Sequence, residues 1–225
     1  MRVVFVLGAL ASAGLAASAR AAVTFTFFDP ATGPEISYIA GTDNATDPGV
    51  LTWIGAPVTL TVDGTDHGLG VAPFTANVTM SLDVGAVTGV EGGILTAPIL
   101  NGVLSFTDAG SGNTILSGAI GTDAGAVIAL GTTGNILAQG AGAPGGLVWT
   151  AGSALDSFLG GLSLAPIYDA NFTLTSLSPA IGMNPQGFLN SFTANSAFTG
   201  NASIPAPGAL CLFTVSGLAW SRRRR

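Results

Sequence analysis

The sequence predicts an all-β fold, a single β-sandwich or jelly-roll-like domain, on three observations. Apolar and polar residues alternate with period two through most of the chain, glycine- and proline-rich turns separate these runs, and only one short stretch carries a helical pattern. At 225 residues, with 48% hydrophobic and 8% charged side chains, the chain can bury one full core. Its 33 Gly and 12 Pro favour turns over long helices.

The mature N-terminal stretch sets Val23, Phe25 and Phe27 against Thr24 and Thr26. The longest run, 73–84, places Phe74, Ala76, Val78, Met80, Leu82 and Val84 on one face and Thr75, Asn77, Thr79, Ser81 and Asp83 on the other. Near the end, Phe192, Ala194, Ser196, Phe198 and Gly200 alternate in the same way. Phe-Thr-Ala-Asn occurs at both 74–77 and 192–195, which is too short an echo to define a repeat.

Further strands are expected at 50–54, 58–62, 102–107, 114–120, 126–130, 135–139, 147–151 and 171–177. Turn signals separate them, among them Asp47-Pro48-Gly49, Asp63-Gly64, Glu91-Gly92-Gly93, Gly110-Ser111-Gly112-Asn113 and Pro144-Gly145-Gly146. Many short strands at this spacing argue a sandwich or jelly roll, with a glycine-rich solenoid as the rival. Only 153–159 reads as helix, with Ser153 as the expected N-cap and Asp156 three residues on.

Charge is distributed unevenly. The six basic residues are Arg2, Arg20, Arg222, Arg223, Arg224 and Arg225, whereas all 12 acidic residues lie between Asp29 and Asp169. A body without Lys or Arg cannot build the cationic groove that nucleic acid requires, so nucleic acid is not an expected partner. The same lack excludes a Walker lysine, Schiff-base chemistry and arginine clamps on phosphoryl groups. Cys211 is the sole cysteine, so no intrachain disulfide forms and packing alone must hold the fold.

The two ends predict where the chain goes. Met1-Arg2, an apolar run from Val3 to Leu15 and then small residues have the order of a secretory signal peptide, too short for a spanning helix. Cleavage by signal peptidase is expected after Ala21, with alanine at both recognition positions, Ala19 and Ala21; Ala17-Ser18-Ala19 is the second choice. Residues 1–21 are then a signal peptide and 22–202 the body.

Residues 203–225 read as a sorting tail. A hinge containing Pro205-Ala206-Pro207 uncouples it, because proline continues neither a strand ladder nor a helix. An apolar stretch from Ala209 to Trp220 follows, and Arg222, Arg223, Arg224 and Arg225 close the chain. The expectation is a short or temporary transmembrane helix, held with its arginines on the cytoplasmic side by the positive-inside bias.

This tail resembles the PEP-CTERM sorting signal of exosortase substrates, with Pro205-Ala206-Pro207 in place of the usual Pro-Glu-Pro. The resemblance implies a Gram-negative host that secretes exopolysaccharide, membrane insertion through the C-terminal tail, and processing near the prolines by an exosortase-like enzyme. The body would then stay at the envelope surface or be released.

Catalytic constellations are absent from the residue pattern. The sole histidine, His67, lies in Val62-Asp63-Gly64-Thr65-Asp66-His67-Gly68, a turn, and Gly161-Leu162-Ser163-Leu164-Ala165 lacks the strand-to-helix setting of a nucleophile elbow. A glycosidase needs two facing carboxylates, and nothing in the spacing pairs Glu35, Glu91 or the aspartates. Asp43, Asn44 and Asp47, and Asp63 with Asp66, are oxygen clusters of the kind calcium takes, yet neither has the Asp-x-Asp-x-Asp-Gly spacing. They are expected to be turn formers, and no cofactor is expected. Asn44, Asn77, Asn171 and Asn201 each begin an Asn-x-Ser/Thr triplet, a common coincidence in so Thr-rich a chain.

Three functions follow in order of expectation. The first is a non-catalytic surface or matrix protein with a structural or adhesive body. The second is a carbohydrate-binding module for extracellular polysaccharide, for which Trp53, Trp149, Trp220 and the two tyrosines are the available platforms. A surface hydrolase comes last.

Overall fold

The structure is a computed structural model and describes residues 21–30, 33–122, 124–140 and 145–204. The strands are β1 (Ala21–Phe27), β2 (Ile36–Ile39), β3 (Gly49–Trp53), β4 (Val58–Asp63), β5 (Val71–Val84), β6 (Gly89–Glu91), β7 (Ile94–Asp108), β8 (Thr114–Ile120), β9 (Gly125–Leu130), β10 (Thr133–Gly140), β11 (Leu147–Ala151), β12 (Ala165–Ser178) and β13 (Phe192–Ile204). One helix, α1 (Ser153–Leu159), precedes β12. Its bounds are as expected, but the N-cap is Gly152 rather than Ser153, and no side chain bonds to the helix start.

Every strand pairing is antiparallel, and several strands are collinear halves of one stave. β1 and β2 both lie along β13. β3 and β4 both lie along β5, and β8 and β9 along β7. β10 and β11 follow β9 and β8 in the same manner, while β5 and β6 together run along β7. Counted this way there are eight staves, and because β1 pairs with both β4 and β13 the ring closes. The fold is all-β and sandwich-like, with a core between facing walls, but both walls belong to one continuous sheet.

Closure has a physical reason in this composition. An open sheet leaves unpaired edges, which proteins blunt chiefly with lysine, and the body has none. Joining the first stave to the last removes most of these edges. Among the described strands, β11 pairs only with β8, and the three-residue β6, in a hairpin whose turn uses Gly92 and Gly93 at positive φ, pairs only with β7, so each keeps a free side.

Alternation then sorts the side chains. Phe25 and Phe27 of β1, Phe106 of β7, Trp149 of β11, Phe172 of β12 and Phe198 of β13 are all buried. Phe27 touches Phe106, Phe172 and Phe198 at centroid distances of 6.3, 6.2 and 5.6 Å. Phe106 and Phe198 belong to opposite staves yet lie 5.3 Å apart, so the walls meet through their aromatic rings. Inward-facing Gly118 makes room for them, since a Cβ there would come within 2.6 Å of the Trp149 ring.

The two poles differ. At one, Ala21 is the register partner of Ile204, so both ends of the described body leave side by side. At the other, the loops between β2 and β3, β5 and β6, and β12 and β13 are stitched together. Asn184 donates to the Gly41 carbonyl (3.1 Å), the Val87 amide to the Gly187 carbonyl (2.8 Å), and the Ala86 amide to Asn44 Oδ1 (2.7 Å). Phe188 and Leu189 are buried beneath this far pole.

The expected flanking transmembrane helix is corrected. Among the described residues no helix is long and apolar enough to cross a membrane, α1 being only seven residues. The apolar stretch proposed for that role would span about 20 Å against a hydrocarbon core of about 30 Å. Of the expected signal segment only Ala21, the first residue of β1, is described, and of the expected tail only Ser203 and Ile204, which end β13; Ala19, Pro205, Ala206, Pro207, Arg222, Arg223, Arg224 and Arg225 lie outside the described residues.

Candidate functional site

The residues singled out for catalysis do not converge. His67 ends a single-turn 3-10 helix after β4, and its Nε2 is buried without a hydrogen-bond partner. Ser163 is exposed in the connection between α1 and β12. Glu91 is exposed in the β6–β7 turn, whereas Glu35 is buried in the wall, so the two glutamates share no pocket.

The oxygen clusters proposed for calcium are occupied by their own backbone. Asp43 Oδ1 accepts from the Ala45 and Thr46 amides (both 2.9 Å) and the Thr46 hydroxyl, and these bonds hold its carboxyl below the ordinary aspartate range. Asp63 Oδ1 accepts from the Thr65 amide and hydroxyl with the same effect. Asp47 accepts from Thr42, and the Asn44 carbonyl holds the Ala86 amide. Asp43 and Asp63 thus form Asx turns, while Asn44 ties its loop to the one after β5. Among the described residues no group of three or more His, Cys, Asp or Glu could hold a metal.

The described Trp and Tyr side chains face inward as well, whereas Phe28 is exposed. Trp149 is buried and donates to the Asp169 carbonyl, Trp53 packs edge-on against Phe27 and donates to the Gly55 carbonyl, and Tyr38 and Tyr168 are buried. Burial pushes the Tyr38 hydroxyl up to about 12. Trp220 lies outside the described residues.

The chemistry of the outer surface lies instead in cross-strand rows. Register aligns Gln139 of β10, Asp169 of β12, Asn201 of β13, Thr24 of β1 and Asp63 of β4. The Thr24 hydroxyl donates to Asn201 Oδ1 (2.9 Å) and the Asn201 amide donates to Asp169 Oδ1 (2.8 Å), so three strands are linked by side chains. A second row places Asn171, Thr199, Thr26 and Thr61 in line. On the opposite wall, Thr79, Ser105, Ser117 and Thr150 form a row of hydroxyls.

These rows arise from the same alternation that fills the core. β-Branched threonine suits a strand, and its hydroxyl keeps the outer face wet without charge. Their chemical capacity is to offer donors and acceptors at strand spacing, about 4.8 Å apart, to a polar partner. Beside them is a depression of about 230 Å³ lined by Ile94, Ile128, Leu130, Thr133, Asn135 and Thr173 among others.

Two features escaped sequence reasoning. The rows needed the register, which no single strand reveals. Glu35 was considered only as an acid in a dyad, but it carries out a structural task described below; its signal was an isolated carboxylate directly before the apolar Ile36. No family model, curated protein or solved structure matches this chain.

Proposed function

We propose that this protein is exported and acts without catalysis at the envelope surface or in the extracellular matrix, its wall of hydroxyl and amide side chains serving a structural or adhesive role toward extracellular polysaccharide. The observation that carries the reading is the polar outer face: aligned Thr, Ser, Asn and Asp rows on a body free of Lys and Arg. Such a surface hydrogen-bonds to polyhydroxyl material and repels anionic polymers at long range.

The placement of the two ends supports a tethered arrangement. Ala21 and Ile204 are paired at one pole, so a tail continuing past Ile204 would leave the far pole directed away from the attachment point. Signal peptidase and an exosortase-like enzyme are the processing partners in this reading. Both would cut beside the same pole.

The test is intact mass and fractionation of the protein in a Gram-negative exopolysaccharide producer, for the native chain and for a variant with Arg222 to Arg225 replaced by Ser. Loss of both terminal segments and surface recovery of the native chain, with altered sorting of the variant, are expected. Full-length cytoplasmic protein in both cases would overturn the reading.

A further inference from the structure

The first stave is interrupted between β1 and β2, and the interruption leaves a hole in the backbone ladder. β1 ends opposite Phe198 of β13, and β2 begins opposite Ala194. Between them the Ser196 amide has no strand partner. Glu35 fills the gap: its own amide donates to the Ala194 carbonyl (3.0 Å), its carbonyl accepts from Ile54 (2.7 Å), and its carboxyl Oε2 accepts from the Ser196 amide (2.8 Å). A side chain stands where main chain is missing.

The surroundings are poorly furnished for a charge. Glu35 is 1% exposed, and a Cβ added at Gly55 would lie 2.8 Å from its Cγ, so the loop after β3 packs closely on the base of its side chain. The Ser196 amide reaches it at 2.8 Å and Glu35's own amide adds a weaker pull, a sparse set for a buried carboxylate, which takes two or three donors when comfortably ionised. The Ser196 hydroxyl, also buried, has no partner. Of the elements packed on Glu35, residues 54–57 and 194–198 carry no ionisable side chain, and the preceding loop contributes only Asp29, a like charge.

We propose that Glu35 is a proton-operated latch on the wall: protonated, it closes the seam between the first two staves and β13, and ionised, it loosens that seam. The protonated carboxyl keeps an acceptor for Ser196 and adds an O–H donor, so it sits in the seam without a buried charge. Burial, chiefly, and then Asp29 raise its pKa against the pull of the Ser196 bond. A raised carboxyl contributes stability that is complete below the ordinary value, about 4.3, and lost as pH rises through the folded value. The inference stands apart from the export reading, since it concerns the wall alone.

Hydrogen exchange on the full chain, corrected for intrinsic rates and followed from pH 4.5 to 8, tests it. Protection at Ser196 and Ile54 should fall by up to about tenfold per pH unit above pH 4.3 and then level off. Gln139, whose amide bonds to the Ala124 carbonyl across the molecule, should not follow. Glu35→Gln keeps the acceptor without the charge and should hold Ser196 at its closed level throughout. A Ser196 profile in the native chain that tracks Gln139, or a Glu35→Gln variant that declines as the native chain does, would overturn the latch.

Discussion

The ring alternates two interrupted staves with two continuous ones: β1/β2 and β3/β4, then β5 and β7, then β8/β9 and β10/β11, then β12 and β13. The two interrupted pairs close their seams by different means. At the first, the Glu35 carboxyl replaces main chain. At the second, backbone meets backbone, with the Gly121 amide on the Gly146 carbonyl, Ala124 on Gly121, and Gln139 on Ala124. Close approach there depends on glycine, because a Cβ on Gly121 or Gly125 would run into opposing main chain. A fold built from period-two strands can thus repair a broken ladder with a titratable group or with small residues, and only the first repair senses pH.

The largest break in this comparison comes from the continuous staves, which hold the aromatic contact between walls. Phe198→Ala removes a ring that touches Phe27, Phe106, Trp149 and Phe172, and should cost about 3–5 kcal/mol in denaturant unfolding. The loss should be much the same at pH 5 and pH 7, because the contacts removed are between buried apolar rings. A loss below about 1 kcal/mol would show that the walls do not depend on this contact.

Next in size is the second seam. Gly125→Ala sets a methyl group against the Leu137 carbonyl, which is main chain and cannot swing away, so a penalty of about 1–3 kcal/mol is expected. Equilibrium unfolding at two pH values measures it. A penalty that changes with pH would erase the distinction between the seams.

Much of this architecture was legible in the sequence, and what escaped did so for local reasons. Strands β8 and β11 and helix α1 have the bounds expected from alternation and turn signals. The first half of β7 did not show itself because its buried residues change phase. Leu95, Ala97 and Ile99 point inward before the register shift opposite Asp83 and Val84, and Leu104 and Phe106 after it. A bulge joins two period-two runs that each look broken when read as one. Pro98, which ordinarily demotes a strand, sits just before that shift. β2 has only four residues, too few to establish a period. Ring closure left no trace at all, since a strand in a sandwich and a strand in a closed sheet alternate identically.

The sites divide along the same line. Turn-forming roles for Asp43 and Asp63 follow from Asx chemistry and are observed. The aligned outer rows depend on which strands pair, and the Glu35 seam depends on a gap in that pairing. Neither is a property of neighbouring residues.

Glu35→Ala should have a smaller effect than the core change. It strips the buried Ser196 amide of its acceptor, for a loss of about 1–3 kcal/mol measured at pH 5, where the native side chain is most nearly protonated. The deficit should narrow toward pH 8, because the native chain then bears the cost of the buried charge itself. A deficit that widens with pH would mean that the ionised carboxylate, rather than the acid, is the form that closes the seam.

The smallest expected effect sharpens the comparison from the other side. Asp108 Oδ1 accepts from the Ser111 amide and hydroxyl, both at 2.7 Å, and these bonds, the amide first, hold its carboxyl below the ordinary range. A lowered carboxyl contributes stability above the ordinary value, about 3.9, and loses it as pH falls through the folded value. Glu35 has the opposite sign, so the two groups tilt the stability profile in opposite directions. Asp108→Asn keeps the acceptor and removes the charge, and it should flatten only the acid limb of a melting-temperature profile between pH 2 and 5. The limb above pH 5 should stay unchanged, because Asp108 ends β7 and bonds to the turn that follows, away from the seam that Glu35 closes. Movement of both limbs together would mean that the carboxylates act through the summed repulsion of a body without cations, and the two seams would then need no separate account.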